Sequence, residues 1–578
     1  MRVSRRGFLT GASLAATAAM AGCSPGGSSN GKADYIFRGG SVLPVAGGAP
    51  EVEALAVAGG RILAVGSEAD VLGLRGSATK TVDLAGRTLL PAFVEAHSHP
   101  SQIASALAPP AVDVRPFTVP TGAQVWSALA DTVATTPKGT PILLYGIDIL
   151  LQPGLELPTR QQLDQRAPDN PVVIVANSGH AAYANSAALR QAGITADTPD
   201  PAGGKYGRDA DGQLTGEAAE TPAILALVAP YEKVLAPKMT DNMRWAYGQL
   251  ARAGIATCSE HTYSATLAEL YETISGEADC KLRVRGYEIG TPELASKAQH
   301  LGGGYSGGDQ LFAQIGMKLW ADGSPWQGNI DTTFPYLTDE TTARMGLGPD
   351  HHGGMNYTPE QFDRLAQAFI AQRWQLSTHV HGDAAIDSVL DAYERALAAS
   401  PIADARLRLE HVGAMRPDQF ARAARMGVTT SLFIEHVYYW GDVLVDELFG
   451  PEYGGHWMSA KAALDAGVRI SFHNDGTVTP PDPIGNIATA VTRTARGSGQ
   501  VLAPEQRIGV DEALRAQTID AAWQLHLDRD TGSLEQGKFA DLVVLSGNPR
   551  STPPEQLREL KVEATYLMGR QTFGEPLA

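Results

Sequence analysis

Residues 89–100, LLPAFVEAHSHP, close a short apolar run on two histidines separated by one residue. In an extended strand the side chains at i and i+2 share a face, so His97 and His99 point the same way at the strand's end while Ser98 points the other. Two imidazoles so placed can grip one ion. A pair of histidines on an exposed edge gives the same pattern, and the motif alone leaves both readings open. The rest of the chain supplies a lysine, two further histidines and an aspartate, each at the end of its own apolar run.

Working outward, eight segments read as strands: LLPAFVEAHSH, GIATCSEH, KLRVRGYEI, QIGMKLWADG, WQLSTHVHGD, RLRLEHV, VTTSLFIEH and VRISFHNDG. Helical patterns such as TPEQFDRLAQAFIAQ, DSVLDAYERALAA and PDQFARAARMG lie between them, which predicts βα units around a parallel sheet. Eight such units predict an α/β fold, a (β/α)8 TIM barrel spanning about 89–529, and such barrels carry their active sites at the C-terminal ends of the strands. After the first strand about 150 residues pass before the second, far beyond a usual βα loop. Residues from about 108 to 235 are therefore read as an insertion, a cap over the barrel mouth. Short alternating runs at 32–88 and again at 530–578 predict one small composite β-sandwich built from both chain ends, since neither part is stable alone.

The chain has 578 residues, 43% apolar and 19% charged, and a net charge of −17. That composition suits a globular enzyme and excludes wholesale disorder. The acidic balance argues against nucleic acid or an anionic membrane surface as partner. Residues 1–31 read as an address and a linker. Arg5 and Arg6 precede an alanine-rich stretch too short to span a bilayer, in the manner of a twin-arginine leader. Met20 to Cys23 resembles a lipobox, so a lipid anchor on Cys23 and a periplasmic or cell-surface location are expected, with simple cleavage as the alternative. Cys258 and Cys280 then remain, and both read as buried thiols.

Four positions complete the candidate constellation. Lys318 lies inside QIGMKLWADG, where a bare ammonium is costly. Carbamylation would turn it into an anionic bridge between two metals, and pairing with Asp322 or another carboxylate would answer equally. His379 ends STHVHGD, His411 ends RLEHV and Asp475 ends FHNDG. Taken together, one His-x-His pair, one lysine, two histidines and one aspartate in barrel order can hold a pair of divalent ions.

This order of residues resembles the amidohydrolase superfamily. GMKLWADGS, the H-x-x-G-D of His379 to Asp383, LEHV, NDGTVTPPDP, GHAAYANS at 179–186 and GSLEQGKFADLVVL at 532–545 are similar to its family 3, the YtcJ-like branch. The resemblance implies that His97, His99 and Asp475 hold the more buried metal, that Lys318 bridges as a carbamate, and that His379 and His411 hold the second. It implies one or two divalent ions per chain, zinc being the expected one. His381 departs from the pattern, and is read either as a stacking neighbour or as a ligand competing with His379. The implied chemistry is hydrolysis of a non-peptide, amide-like C–N bond of a small molecule. A divalent ion lowers the pKa of bound water towards about 7, Asp475 acts as general base and then general acid, and His411 or the second metal polarises the carbonyl.

For specificity, His180 in GHAAYANS, Asp322, Trp326 and Tyr438 are the candidate substrate contacts, with Phe334, Tyr336, Tyr439 and Trp440 as further aromatic candidates. His351, His352, His436 and His473 are read as bystanders. Two other functions use the same residues: an ester or phosphoester hydrolase, and an inactive lipoprotein binding module. No partner other than a small-molecule substrate is expected, apart from a homo-oligomer.

Overall fold

A computed structural model describes residues 31–201, 203–296 and 310–577. The leader and its Arg5, Arg6 and Cys23 lie outside the described residues. Eight parallel strands stand in sequence order: β1 (Phe93–Glu95), β2 (Ile255–Tyr263), β3 (Arg283–Ile289), β4 (Phe312–Trp320), β5 (Gln375–Val380), β6 (Arg408–His411), β7 (Thr429–Leu432) and β8 (Ile470–Phe472). The sheet is a barrel closed except for one ladder. At the seam between β8 and β1, the Asn474 amide donates instead to the Glu95 carboxylate at 2.6 Å. All eight expected strands are present.

The crossover helices form where the sequence supplies a start signal and an apolar stripe. Pro359–Ala371 begins with a capping box of Thr358 and Gln361 and buries Phe362, Leu365, Ala366, Phe369 and Ile370, the i, i+3, i+4, i+7, i+8 spacing of one helix face. Asp383–Ala399 and Pro417–Met426 repeat the scheme after β5 and β6. Register brings the functional positions level, since β5 is shifted so that Trp320 lies beside His379 and Val380 beside His411.

Inside the barrel the core is polar. On β5 the residues Gln375, Ser377 and His379 face inward, while Thr378 turns outward to the Tyr393 hydroxyl at 2.7 Å. Arg408 clasps Glu410 through two bonds of 2.7 and 2.9 Å and reaches the Ala96 carbonyl of the β1 end at 2.9 Å. Ser377 donates to Glu410 at 2.8 Å. These groups are fully buried, and each charge there is matched by a partner, as burial requires.

Two smaller sheets are built from strands that precede and follow the barrel. Tyr35–Arg38, Ala54–Ala58, Arg61–Gly66 and Lys80–Asp83 form one, and Ser41–Val42, Thr88–Pro91, Leu542–Leu545, Val562–Leu567 and Arg570–Phe573 the other. Phe37 of the first meets Tyr566 of the second edge to face at 5.3 Å. Between β1 and β2 the chain builds a six-stranded sheet from Val112–Asp113 to Leu214–Ala219. This sheet is tied to the β8 end by Arg115 donating to the Thr477 carbonyl at 3.0 Å and by Tyr145 bonding the Thr477 hydroxyl at 2.7 Å. Cys258 and Cys280 are buried and unbridged, as read. Among the described residues no helix is long and apolar enough to cross a membrane.

Candidate metal centre

At the C-terminal ends of the strands lies a cavity of about 40 Å³ lined by His97, His99, Lys318, His379, His411 and Asp475, with His180, Tyr145, Thr262, Trp320 and Thr477 around them. The six candidate ligands, drawn from five strand ends, are thus brought together. His97, His99 and Asp475 place one ligand atom each within 4.8 Å of one another, and so do His379, His381 and His411.

Which atom each residue can offer follows from what holds its other end. His97 Nδ1 is bound to Glu410 at 2.7 Å, leaving Nε2, which lies 3.3 Å from Lys318 Nζ and 3.5 Å from Asp475 Oδ1. His99 Nδ1 bonds Thr262 at 3.2 Å, and Thr262 in turn donates to Glu260 at 2.7 Å; this leaves His99 Nε2, 3.1 Å from Asp475 Oδ1. His379 is reversed, its Nε2 donating to the Gly323 carbonyl at 2.8 Å and freeing Nδ1. His411 Nδ1 meets His473 Nε2 at 3.0 Å, and its buried Nε2 has no hydrogen-bond partner. A metal-binding histidine is oriented in this way by a partner on its far nitrogen. Four imidazoles with one nitrogen each directed inward and an orphaned buried Nε2 are a donor set that fits divalent ions.

The electrostatics agree with this assignment for three of the four imidazoles; His99 is lowered by burial but raised overall by its contacts with Asp475 and Glu260. Burial drives His97, His379 and His411 well below the usual histidine range, so they are neutral and able to ligate. Burial pushes Asp475 up, but the contact with His99 and the nearby His473 and Lys318 together hold the carboxyl below its usual value. Burial brings Lys318 down to about 7. Among the described residues no carboxylate lies in ion-pair contact with Lys318. Its neighbours are His97 Nε2 and the Trp320 ring face at 5.3 Å.

Asp322 is therefore not the partner of Lys318. It accepts from the backbone amides of His381 and Gly382 at 2.9 and 2.8 Å, beneath the β5 turn. Trp326 lies outside this cavity: it stacks on Trp440 at 4.9 Å and lines a neighbouring pocket with Asp148 and Tyr183. Tyr438 is not among the lining residues either, because its ring carries the Arg558 guanidinium at 3.5 Å. Phe334 stacks on Tyr453 at 3.8 Å, and the aromatic residues that do line the cavity, Tyr145 and Trp320, went unremarked in the sequence. His381 stacks on His411 at 4.9 Å and on His436 at 5.5 Å. His351 and His352 bond carbonyls of their own neighbourhood, Gly328 and Thr332.

Sequence reasoning passed over Glu410, Glu260 and Thr262, and took His473 for a bystander although it orients His411. Glu410 could have been found, since an acidic residue two places after Arg408 on one strand face must be either exposed or paired.

The model of the amidohydrolase family matches residues 80–573. The chain belongs to the amidohydrolase family. It is accordingly a hydrolase acting on carbon–nitrogen bonds. It is 31% identical to an N-substituted formamide deformylase of Arthrobacter pascens over 546 residues, 89% of this chain and 94% of the relative. YtcJ of Bacillus subtilis (strain 168) is 26% identical and matches 93% of this chain over 99% of its own length. Among solved structures, an uncharacterized metal-dependent hydrolase from Pyrococcus horikoshii OT3 superposes with a TM-score of 0.69 at 22% identity, covering 90% of this chain and 99% of that one, which speaks to the fold.

Proposed function

We propose that this amidohydrolase cleaves the C–N bond of a small N-substituted formamide or related amide at the centre described above. The observation that carries the reading is the convergence of His97 Nε2, His99 Nε2, His411 Nε2, the freed His379 Nδ1 and Asp475 on one cavity. The formamide class is suggested by the Arthrobacter relative. A divalent ion, zinc being the expected one, would lower the pKa of water and polarise the acyl oxygen. His97, His99 and Asp475 would hold one ion and His379 and His411 a second. Lys318, buried, brought down to about 7 and without a carboxylate in ion-pair contact among the described residues, is suited to carry a carbamate between them.

The chain's own groups do the rest. Asp475 takes the proton of the attacking water on its carboxylate and returns it to the departing nitrogen. Glu410 and Thr262 hold His97 and His99 in the tautomers that face inward. The inserted sheet, tied down at Thr477, limits water at the site.

Metal content per chain tests this, measured in the presence of bicarbonate for the wild type, Lys318→Ala and Asp475→Ala, beside turnover of an N-alkyl formamide panel. Two equivalents that fall in Lys318→Ala, with formamide hydrolysis abolished in Asp475→Ala, are expected. No metal after reconstitution would overturn the reading.

A further inference from the structure

Outside the ligand set, one titratable pair on the inserted sheet faces the cavity. His180 lines it, and its Nδ1 lies 2.9 Å from Glu220 Oε2. With a carboxylate as acceptor, Nδ1 carries the proton, and Nε2 is left to the cavity. The His180 ring sits 4.9 Å from that of His379. Glu220 is held from three sides. Its backbone amide donates to the His180 carbonyl at 2.9 Å, its Oε1 accepts from Asn329 of the loop after β4, and its backbone carbonyl accepts from Ala223 and Ile224 of the helix Thr221–Val228 at 3.1 Å each. Its backbone lies at φ 66° and ψ 155°, a region that is almost glycine's alone. A bulky acidic residue kept in that conformation is one whose side chain must stand where it stands. Asn329 also accepts from the Ser324 amide at 2.7 Å, and its backbone accepts from Gly323 at 3.1 Å. The carbonyl of Gly323 orients His379. One short loop thus links the cap histidine to a candidate metal ligand.

We propose that Glu220 is a positioning residue: it fixes His180 in the tautomer and orientation that present Nε2 to the acyl group of the substrate. The proposal rests on the C–N hydrolase reading above for the identity of the substrate, but not for the geometry of the pair. His180 is the residue that touches substrate, and Glu220 acts only through it.

Glu220→Gly removes the carboxylate while suiting the backbone, and Glu220→Gln keeps an acceptor for Nδ1–H. In the full-length zinc-loaded protein with 15N-labelled histidine, the ring signal that is absent from His180→Ala reports the tautomer. It is expected to show protonated Nδ1 in the wild type and in Glu220→Gln, and to shift towards protonated Nε2 in Glu220→Gly. With an N-alkyl formamide, His180→Ala and Glu220→Gly should each lose about 10²-fold in kcat/KM, mostly in kcat. Glu220→Gln should recover to within about tenfold of the wild type, and the double variant should be no slower than His180→Ala alone. An unchanged tautomer in Glu220→Gly, or a double variant well below His180→Ala, would overturn the proposal. If the wild type turns over no formamide, the substrate reading fails, and the ring signal by itself then decides the role of Glu220.

Discussion

Glu410 does two jobs with one carboxylate, holding the Arg408 guanidinium and the His97 ring, and the two can be separated. Glu410→Gln keeps an acceptor but loses the charge, and a metal titration should find affinity lower by about 10- to 100-fold. Glu410→Ala leaves Arg408 buried and uncompensated, so denaturant unfolding should show a loss of about 3–5 kcal/mol. Asp148 offers a pH test away from the metal centre. Burial raises its carboxyl from 3.8 to about 6, while its Oδ2 accepts from Trp440 at 3.0 Å. A folded pKa above the unfolded one means the fold favours the protonated form. That contribution is complete below pH 3.8 and is lost as pH rises through about 6, for a total of about 3 kcal/mol. Asp148→Asn should flatten the stability profile between those limits, as read by melts across pH. At this scale the chain was only half legible. Strict alternation on β6 places Glu410 inside with Arg408 and turns His411 away. His411 faces the cavity because its backbone, with that of Val412, takes positive φ (72° and 51°), as does Asp475 at 56°. Strain of this kind gathers at functional sites, and no local sequence signal announces it.

The strands and helices were legible because each carries its own period: apolar β-branched runs for the barrel, a stripe such as Phe362, Leu365, Phe369 for the layer outside it. What escaped was the traffic between loops. Aromatic residues after β4 and β7 read as a mouth for substrate, yet Trp326 packs on Trp440 and Tyr438 under Arg558, because large rings that can bury one another do so before they face solvent. The turn after β5 shows how tightly the loops fit. A Cβ on Gly382 would lie 1.9 Å from the Asp331 carbonyl oxygen, where no flexible side chain can yield. Gly382→Ala should therefore cost about 1–3 kcal/mol in denaturant unfolding. It should also weaken metal retention, since the same turn follows His379 and rests on Asp322.

For the whole molecule, the barrel is fastened to the sheet of chain ends from below. Asp541 accepts from Arg283 of β3 and from Thr531 at 2.8 Å, both buried, and from the Met568 amide at 2.8 Å. Asp541→Ala should cost about 3–5 kcal/mol, and it should lower the melting of barrel and sheet together. Removing bound metal with a chelator should lower the melting temperature as well, by the equivalent of about 2.7 kcal/mol where free metal stood at 100 times its dissociation constant. The short runs before and after the barrel carry no signal of the ladder that joins them. Thr88–Pro91 lies antiparallel to Leu542–Leu545, with Leu89 beside Val544. A ribosome making 5–20 residues per second needs roughly 20–90 s to pass from the first of these strands to the second. Throughout that interval the nascent chain carries Thr88–Pro91 as an open edge of four apolar-flanked residues, the kind of template on which other strands dock. The strand that covers it is the late-made Leu542–Leu545, so a copy of this protein terminated before that strand would be released with this edge still bare.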